Sequence, residues 1–510
     1  MRAADDAAGD PADGEGRPLL LPLDVERSPG RPLAVARASA DAPLPLQPPR
    51  SAARTLYCAH ALSAWGARMW CGGGGEVGGR GCGQPSTRRP SRPASLPPPP
   101  PREFTAGLAL FDLGARDTFT LVAVLGLAQA AAQAAAGPAV GRWADGAPRL
   151  PAARTLVSVQ ALATLASAGA VLVARATGVG AAGAVAAVFA AVAAVGAQGN
   201  TLTVEREWTA VLACGDPSTL AQLNAGMRRV DLVCLILAPA AAGALMSLPG
   251  AGGPFAAVAA VAAYSAAAWP AQMWLLGRAA LRAPALGEPR ARPPCGAHPP
   301  ARLSAHAAYA AADAAPAGVA LALLYCTVLS FGPLATAFLW ARGVGELELA
   351  AWRGAGALAG LAATALYPPL HTRLGLDRAG GVGLGLQTAA LAGGCVAAFG
   401  LAPSSAVGAR CLAAALAASR MGLWLFDLAA AQALQERVPR EALGAVNGVQ
   451  ASLQAAAGAL SYAAALMAPS PASFGGLAAG SLAAVAGAGC VFLFGGLRAR
   501  KRGAAAAAGL

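Results

Sequence analysis

Charged and amide side chains lie inside several long apolar stretches of the chain. Asn224, Arg228 and Asp231 follow one another at intervals of four and three residues, so they share one face of a helix. A charged group at the centre of a membrane helix costs about 2.5–3.5 kcal/mol unless it is paired or faces water. The cluster therefore predicts either a static ion-pair network or a gate whose pairs break in one conformation.

Two further charges lie in the apolar stretch ALAASRMGLWLFDLAAAQ. Arg420 and Asp427 are seven residues apart, which places them two turns apart on one helix face. A rise of about 10 Å separates them, so we expect them to pair through a neighbour rather than directly. Glu205 and Glu207 add acidic groups in the segment TVEREW, just before the first cluster.

The elements that carry these residues are apolar blocks of about 20 or more residues. Each block is long enough to cross the roughly 30 Å hydrocarbon core of a bilayer as a helix. The sequence predicts one interrupted block at its start and eleven intact blocks, which lie near residues 118–141, 152–174, 177–202, 224–248, 254–277, 316–340, 345–370, 380–401, 406–434, 444–468 and 472–496. Much of this sequence is Ala and Gly, which lets helix backbones approach closely.

The composition is that of a membrane protein. Hydrophobic residues make up 56% and charged residues 12% of the 510 residues, with a mean hydropathy of +0.52. Because a soluble domain carries about 25% charged residues, the net charge of +13 does not indicate a soluble nucleic-acid-binding protein. The sequence contains no zinc-finger, P-loop or nucleophile-elbow spacing. We therefore expect a protein that is not an enzyme.

Arginines are concentrated in alternate loops. The loops near 249–253, 402–405 and 469–471 carry no positive charge, whereas the loops of the opposite set carry several arginines. By the positive-inside rule, both termini are cytoplasmic, which requires an even number of spans. Twelve spans satisfy this requirement.

A Pro- and Arg-rich loop at 278–315 divides the chain into two sets of six spans. This is the layout of the major facilitator architecture, an all-α fold of two six-helix lobes around a substrate site at the membrane midplane. The prediction places the N-terminal lobe at 53–277, the C-terminal lobe at 316–497 and a basic cytoplasmic tail at 498–510.

The N-terminal segment 1–52 mixes proline, aspartate and arginine without any period, so we expect it to be disordered and cytoplasmic. Within it, Glu15–Leu20 reads EGRPLL and has the spacing of an acidic dileucine sorting signal. This short motif predicts adaptor binding.

The second block ends in the pattern G-x-x-x-D-x-x-x-R, formed by Gly141, Asp145 and Arg149. In major facilitator proteins, a loop of this type pairs charges with helix ends across the cytoplasmic mouth. A second charged turn, with Arg373, Asp377 and Arg378, ends the eighth span at the corresponding place. A tight turn with solvated charges is the alternative, and the spacing alone leaves both open.

The chain resembles the ferroportin family, solute carrier family 40, and within it the plant and algal branch. Weaker similarity from about 54 to 497 joins the four segments that carry the resemblance: LYCAHALSAWGARMW at 56–70, EREWTAVLACGDPSTLAQLNAGMRRVDLVCLILAP at 205–239, ALLYCTVLSFGPLATAFLW at 322–340, and ASRMGLWLFDLAAAQALQERVPREALGAVNGVQ at 418–450.

The resemblance implies export of Fe2+, and possible export of Co2+ or Ni2+, from the cytosol by alternating access. The metal is then the transported substrate, and no permanently bound cofactor is implied. The protein would be a monomer in the plasma or vacuolar membrane. The resemblance also implies a cytoplasmic gate formed by Asp145, Arg149, Glu207, Trp208, Asn224, Arg228 and Asp231.

Metal contacts implied by the resemblance are less complete. In the N-terminal lobe they fall on Glu103, which could instead be a loop acid, and on Gln160, which could instead form a helix–helix hydrogen bond. In the C-terminal lobe the animal ligand positions hold Pro333 and Ser461. Proline offers no donor, so the animal site and its regulation by a peptide are not expected. Cys326, seven residues before Pro333 on what we expect to be the same helix, is a substitute ligand or a buried structural thiol.

An unusual segment at 71–102 interrupts the first span. It contains eight prolines, a run of glycines and five arginines: Arg80, Arg88, Arg89, Arg92 and Arg102. Joining Trp70 to Glu103 restores an ordinary apolar span, MWEFTAGLALF. We therefore interpret the segment as translated intron or a gene-model error. If it is present, it loops out of the membrane and leaves metal export in doubt.

Two alternative functions remain open at the level of sequence. A major facilitator carrier for an organic substrate or a metal chelate would account for the missing C-terminal ligands. A non-transporting scaffold or a defective product would follow if residues 71–102 are part of the mature protein.

Overall fold

The computed structural model describes residues 50–71, 120–177, 180–247, 254–287, 304–403, 405–467 and 473–507. The regular structure within these ranges is helical, and none of the described residues forms a strand. The predicted sorting signal at Glu15–Leu20, residues 72–102 of the unusual segment, and Glu103 lie outside the described residues.

Among the described residues, the first half of the chain contains six long helices. They are α1 Arg50–Cys71, α2 Thr120–Gly146, α3 Arg149–Thr177, α4 Gly180–Asn200, α5 Pro217–Ser247 and α6 Pro254–Arg282. Helix α4 continues into a π-helical segment, Thr201–Trp208, and a last α-helical turn, Thr209–Leu212. A short helical turn, Pro284–Gly287, follows α6.

The part of the second half that the structure describes contains eight further helices. They are α7 Ala305–Ala311, α8 Ala315–Tyr325, α9 Pro333–Ala341, α10 Glu346–Leu374, α11 Leu376–Cys395, α12 Ala406–Glu436, α13 Leu443–Met467 and α14 Phe474–Ala507. A π-helical segment, Val396–Leu401, extends α11, and a 3-10 turn, Arg440–Ala442, precedes α13.

Within the described residues, each of the eleven intact apolar blocks overlaps helical structure. The ends differ from the predicted ones, because α5 begins at Pro217 rather than near 224 and α14 continues through the basic tail to Ala507. Residues 50–52, predicted to be disordered, form the start of α1. The segment predicted as a central loop is partly helical at both ends, where α6 extends to Arg282 and α7 begins at Ala305.

The block at 316–340 is not one helix, which corrects the expectation that Cys326 and Pro333 share a helix. Helix α8 ends at Tyr325, and α9 begins at Pro333. Proline lacks an N–H and is suited to the first turn of a helix, so the Gly332-Pro333 pair starts a new helix rather than continuing α8.

Six helices of the described residues are long and apolar enough to cross a membrane. A seventh span results if α7 and α8 are taken together, although they meet at a bend of 108°. These helices are typical of a multi-pass membrane protein, and the full count of twelve spans stays a prediction.

The two halves pack against each other through α2 with α13 and α5 with α10. Glycines bring α2 and α13 together. A Cβ atom added at Gly141 would lie 2.0 Å from the carbonyl oxygen of Gly444, and one added at Gly448 would lie 2.3 Å from that of Gly137. No side chain fits in these spaces, so the close approach requires glycine at all four positions.

Candidate functional site

Two arginines and two aspartates form an ion-pair network that crosses from the first half to the second. Asp231 of α5 accepts hydrogen bonds from Arg68 Nη2 of α1, at 2.9 and 3.0 Å, and from Arg228 Nη1, at 3.0 Å. Arg228 Nη2 also donates to Asp427 Oδ2 of α12 at 2.6 Å. We call these four residues the interhalf network.

The charges of the interhalf network balance, because two guanidinium groups face two carboxylates. The side chains are largely buried, from 3% exposed at Asp427 to 20% at Arg68. The ring of Trp424 adds a cation–π contact, with its centroid 5.0 Å from the guanidinium carbon of Arg228. Pairing of this kind offsets the cost of burying the charges.

Amide side chains extend the contact between the halves. Asn224 Nδ2 donates to Gln435 Oε1 of α12 at 2.6 Å. Gln435 Nε2 in turn donates to the carbonyl oxygen of Arg206 and to Thr209 Oγ1, both at 2.9 Å. The π-helical segment at the end of α4 is thereby tied to the second half.

Asp145 joins the halves at the end of α2. Its Oδ1 accepts from the backbone N–H of Gly444 and its Oδ2 from that of Ala445, both at 2.7 Å. These N–H groups belong to the first turn of α13, where a carboxylate satisfies unpaired donors and the positive end of the helix dipole. The α2–α3 turn and the start of α13 lie at this end of the bundle, which we call the loop end.

Arg149 lies across the α2–α3 turn from Asp145. Its Nε donates to Glu207 Oε1 at 3.0 Å, and its Nη1 donates to the carbonyl oxygen of Ala285 at 3.3 Å. Trp208, next to Glu207, is fully buried in the core of the first half. The charges of the predicted motif therefore contact folded elements and are not simply solvated.

The second half has a related arrangement at its own charged turn. Asp377, at the start of α11, accepts from Arg437 Nη2 at 2.5 Å. Gln432 of α12 accepts from the Tyr367 hydroxyl at 2.7 Å and donates to the carbonyl oxygen of Pro217, at the start of α5, at 3.0 Å. In the first half the turn residue is the cation Arg149, which pairs with Glu207. In the second half the turn residue is the anion Asp377, which pairs with Arg437.

Gln160 of α3 is buried among polar groups of the first half. Ser63 Oγ of α1 donates to Gln160 Oε1 at 3.1 Å, and Asn200 Nδ2 of α4 donates to Ser63 Oγ at 2.9 Å. This is the helix–helix hydrogen bonding that the sequence left as an alternative to metal contact.

The other predicted residues lie apart from this group. Arg420 is 4% exposed, and its Nη2 donates to the carbonyl oxygen of Leu329 between α8 and α9, at 3.3 Å. Cys326 is a free, half-buried thiol at the end of α8, and Ser461 belongs to α13. Among the described residues, no three His, Cys, Asp or Glu side chains form a group that could hold a metal ion.

Sequence reasoning missed Arg68, which supplies half of the positive charge in the interhalf network. Its signal was present, since Arg68 is a charged residue inside the apolar segment LSAWGARMW. Its partner Asp231 lies 163 residues away, so no local spacing could connect the two.

Comparison with known proteins shows the family of the chain. The family model described as Ferroportin1 (FPN1) matches residues 102–293 and 301–485, more than half of the chain. Solute carrier family 40 member 1 of Oryza sativa subsp. japonica is 34% identical over 464 residues, which cover 83% of this chain and 86% of that protein.

Solved structures show the same fold. A bacterial homologue of the iron transporter ferroportin matches in its outward-facing state with a TM-score of 0.71 at 22% identity, covering 87% of this chain and 99% of that one. In the inward-facing state the TM-score is 0.55 at 22% identity, with 88% and 98% covered.

A match at lower sequence identity is the major facilitator superfamily proton:xylose symporter XylE. Its TM-score is 0.59 at 12% identity, with 89% of this chain and 96% of that one covered. The chain belongs to the ferroportin family, and it is a multi-pass membrane protein with the major facilitator fold.

Proposed function

We propose that the chain is a secondary-active exporter that moves divalent transition metal ions, Fe2+ and also Co2+ or Ni2+, out of the cytosol. It does so by alternating access, without ATP and without a permanently bound cofactor. Membership of the ferroportin family supports a role in transport. The substrate and the direction of transport belong to the proposal.

The observation that carries the proposal is the interhalf network. It joins α1 and α5 of the first half to α12 of the second through ion pairs, and such pairs can separate when the halves move. At the loop end, Asp145 makes two further hydrogen bonds between the halves, and Gln432 makes one to the carbonyl oxygen of Pro217. A substrate path between the halves can therefore open by breaking polar contacts while each half keeps its core.

The same contacts suggest which conformation the chain adopts. The loop end is closed by Asp145 against α13 and by the glycine contacts between α2 and α13. The fold superposes better on the outward-facing bacterial homologue than on the inward-facing one, with TM-scores of 0.71 and 0.55. Both observations support an outward-facing state with its cytosolic end shut.

The membrane setting of the proposal follows the distribution of arginines. Both termini and the loop end face the cytosol. The transporter lies in the plasma membrane or the vacuolar membrane and acts as a monomer. An adaptor protein that binds Glu15–Leu20 would determine which of these membranes the protein reaches.

A second candidate is transport of an organic substrate or a metal chelate. One observation favours it, because Gln160 is already hydrogen-bonded to Ser63 and the described residues contain no group of three His, Cys, Asp or Glu ligands. A third reading, a non-transporting product, depends on whether residues 71–102 are part of the mature chain.

Efflux from reconstituted vesicles tests the proposal. The chain is made with and without residues 71–102, and vesicles are loaded with Co2+ or, in a parallel arm, with a citrate chelate of iron. We expect the shortened chain to release Co2+ and to retain the chelate. Release of the chelate alone would favour the second candidate, and release of neither substrate would contradict both.

A further inference from the structure

His60 of α1 is a buried histidine that takes no part in the interhalf network. It is 3% exposed, and neither of its ring nitrogens has a hydrogen-bond partner among the described residues. Buried polar side chains are normally hydrogen-bonded, so an unpartnered imidazole inside a membrane domain calls for a functional explanation.

One further donor group lies close to His60, and a second lines the same cavity. Its Nδ1 is 3.6 Å from Glu205 Oε1, which also accepts from Thr201 Oγ1 at 2.8 Å. Asn200 lines the same narrow cavity as His60 and is 5% exposed. Its Nδ2 donates to Ser63, whereas its Oδ1 has no partner among the described residues.

The π-helical segment Thr201–Trp208 explains how one helix supplies two of these groups. In an α-helix, residues five apart point in different directions. Hydrogen bonds of a π-helical turn join residues five apart, so the wider turn brings Asn200 and Glu205 closer to a common side. Such turns are frequent at functional sites.

The separation between His60 and Glu205 fits two ligands of one ion better than a hydrogen bond. At 3.6 Å the two atoms are too far apart for a hydrogen bond. Metal–ligand bonds of about 2.1 Å in tetrahedral geometry place donor atoms about 3.4 Å apart. The two groups therefore need only a small adjustment to share an ion.

The chemistry of the three donors selects the ion. An imidazole nitrogen with a carboxylate and an amide oxygen suits first-row divalent transition metals, whereas Mg2+ and Ca2+ prefer oxygen ligands alone. Two of the three donors, His60 and Glu205, are of the residue types that most often bind metal ions. The third donor is the amide oxygen of Asn200.

We propose that His60, Glu205 and Asn200 form a binding site for a divalent transition metal ion inside the first half of the chain. The site is linked to Gln160 through Asn200 and Ser63, whose hydrogen bonds run from one group to the other. That the ion is the exported cargo rests on the proposed function, whereas the binding site itself does not.

Co2+ binding to the purified full chain tests the site, by calorimetry and by the visible absorption of the bound ion. We expect His60→Gln and Glu205→Gln each to weaken Co2+ binding at least tenfold and to remove its absorption bands. His306→Gln, the same change at an exposed histidine of α7, is the matched control and should bind as the unaltered chain does.

Glu205→Gln is nearly isosteric and keeps an acceptor for Thr201, so it separates loss of a ligand from loss of the fold. Unaltered Co2+ affinity and absorption in both variants would overturn the site. Vesicle efflux then distinguishes the two proposals. If Co2+ binding depends on His60 but no export occurs, only the proposed function is contradicted. If export occurs but Co2+ binding does not depend on His60, only this site is contradicted.

Discussion

Arg228 of α5 donates to Asp427 of α12 across 2.6 Å, and this contact joins the two halves of the chain inside the apolar bundle. The same guanidinium also holds Asp231 at 3.0 Å. One side chain therefore links a carboxylate of its own half to a carboxylate of the other half. Separation of the halves must break the first link and leaves the second in place.

Arg68 should contribute to stability as well as to transport. Arg68→Ala leaves Asp231 with one arginine where it now has two, and removal of one partner from a buried ion pair costs about 3–5 kcal/mol. Because Arg68 is 20% exposed, we expect the lower part of that range, with a clear fall in the melting temperature of the purified protein.

The control for this variant is Arg410→Ala. Arg410 is 47% exposed and pairs with Glu348 at 2.9 Å, and an exposed pair of this kind contributes about 1 kcal/mol or less. Equal melting temperatures for the two variants would show that the interhalf network is not a structural contact.

The glycine contact between α2 and α13 should be required for closure of the loop end. A Cβ atom at Gly444 would lie 2.5 Å from both Asp145 Oδ1 and the carbonyl oxygen of Gly141, so Gly444→Ala forces the helices apart. We expect Co2+ efflux to fall at least tenfold, with normal amounts of protein in the membrane. At Gly381 an added Cβ atom meets nothing within 4 Å, so Gly381→Ala is the control. Equal efflux from the two variants would contradict this role.

Asp216 should stabilise the start of α5 in a pH-dependent manner. Hydrogen bonds from Thr219 and Ser218 lower the pKa of Asp216 to about 2. Because the pKa is depressed in the folded state, this stabilisation is complete above the unfolded pKa of about 3.9 and is lost as the pH falls toward 2. Asp216→Ala should cost about 1 kcal/mol at neutral pH.

Melting temperatures measured from neutral pH to about pH 3 test this assignment. The difference between the unaltered chain and Asp216→Ala should be constant near neutrality and should shrink below about pH 4. A difference that grows in acid would reverse the sign and exclude a stabilising carboxylate at this helix start.

Residues 71–102 should be absent from the functional protein. Five arginines inside a membrane span would each cost about 2.5–3.5 kcal/mol. We expect the mature transcript to lack the codons of this segment, as sequencing of the transcript will reveal. An abundant protein that yields a tryptic peptide from within the segment would contradict this interpretation.

The helices could be predicted because block length and hydropathy are local properties of the sequence. The face shared by Arg228 and Asp231 was predictable for the same reason, since a spacing of three residues determines it. The break before Pro333 had a local signal, the Gly-Pro pair, but an unbroken apolar block obscured it.

The partners of the site residues could not be predicted from spacing. Arg68 and Asp231 meet because α1 packs on α5, and Gly141 meets Gly444 because α2 packs on α13. Glu205, which lies 3.6 Å from His60, belongs to a π-helical segment that the apolar pattern does not reveal. These relationships are tertiary, and they decide which charges are paired.

The most direct test of the account is Co2+ efflux by Arg228→Ala in vesicles, beside the unaltered chain and Arg410→Ala. If the interhalf network is the gate, Arg228→Ala should lose efflux at least tenfold when efflux is divided by the amount of protein in the membrane, while Arg410→Ala exports normally. Efflux by Arg228→Ala at the rate of the unaltered chain would contradict the account.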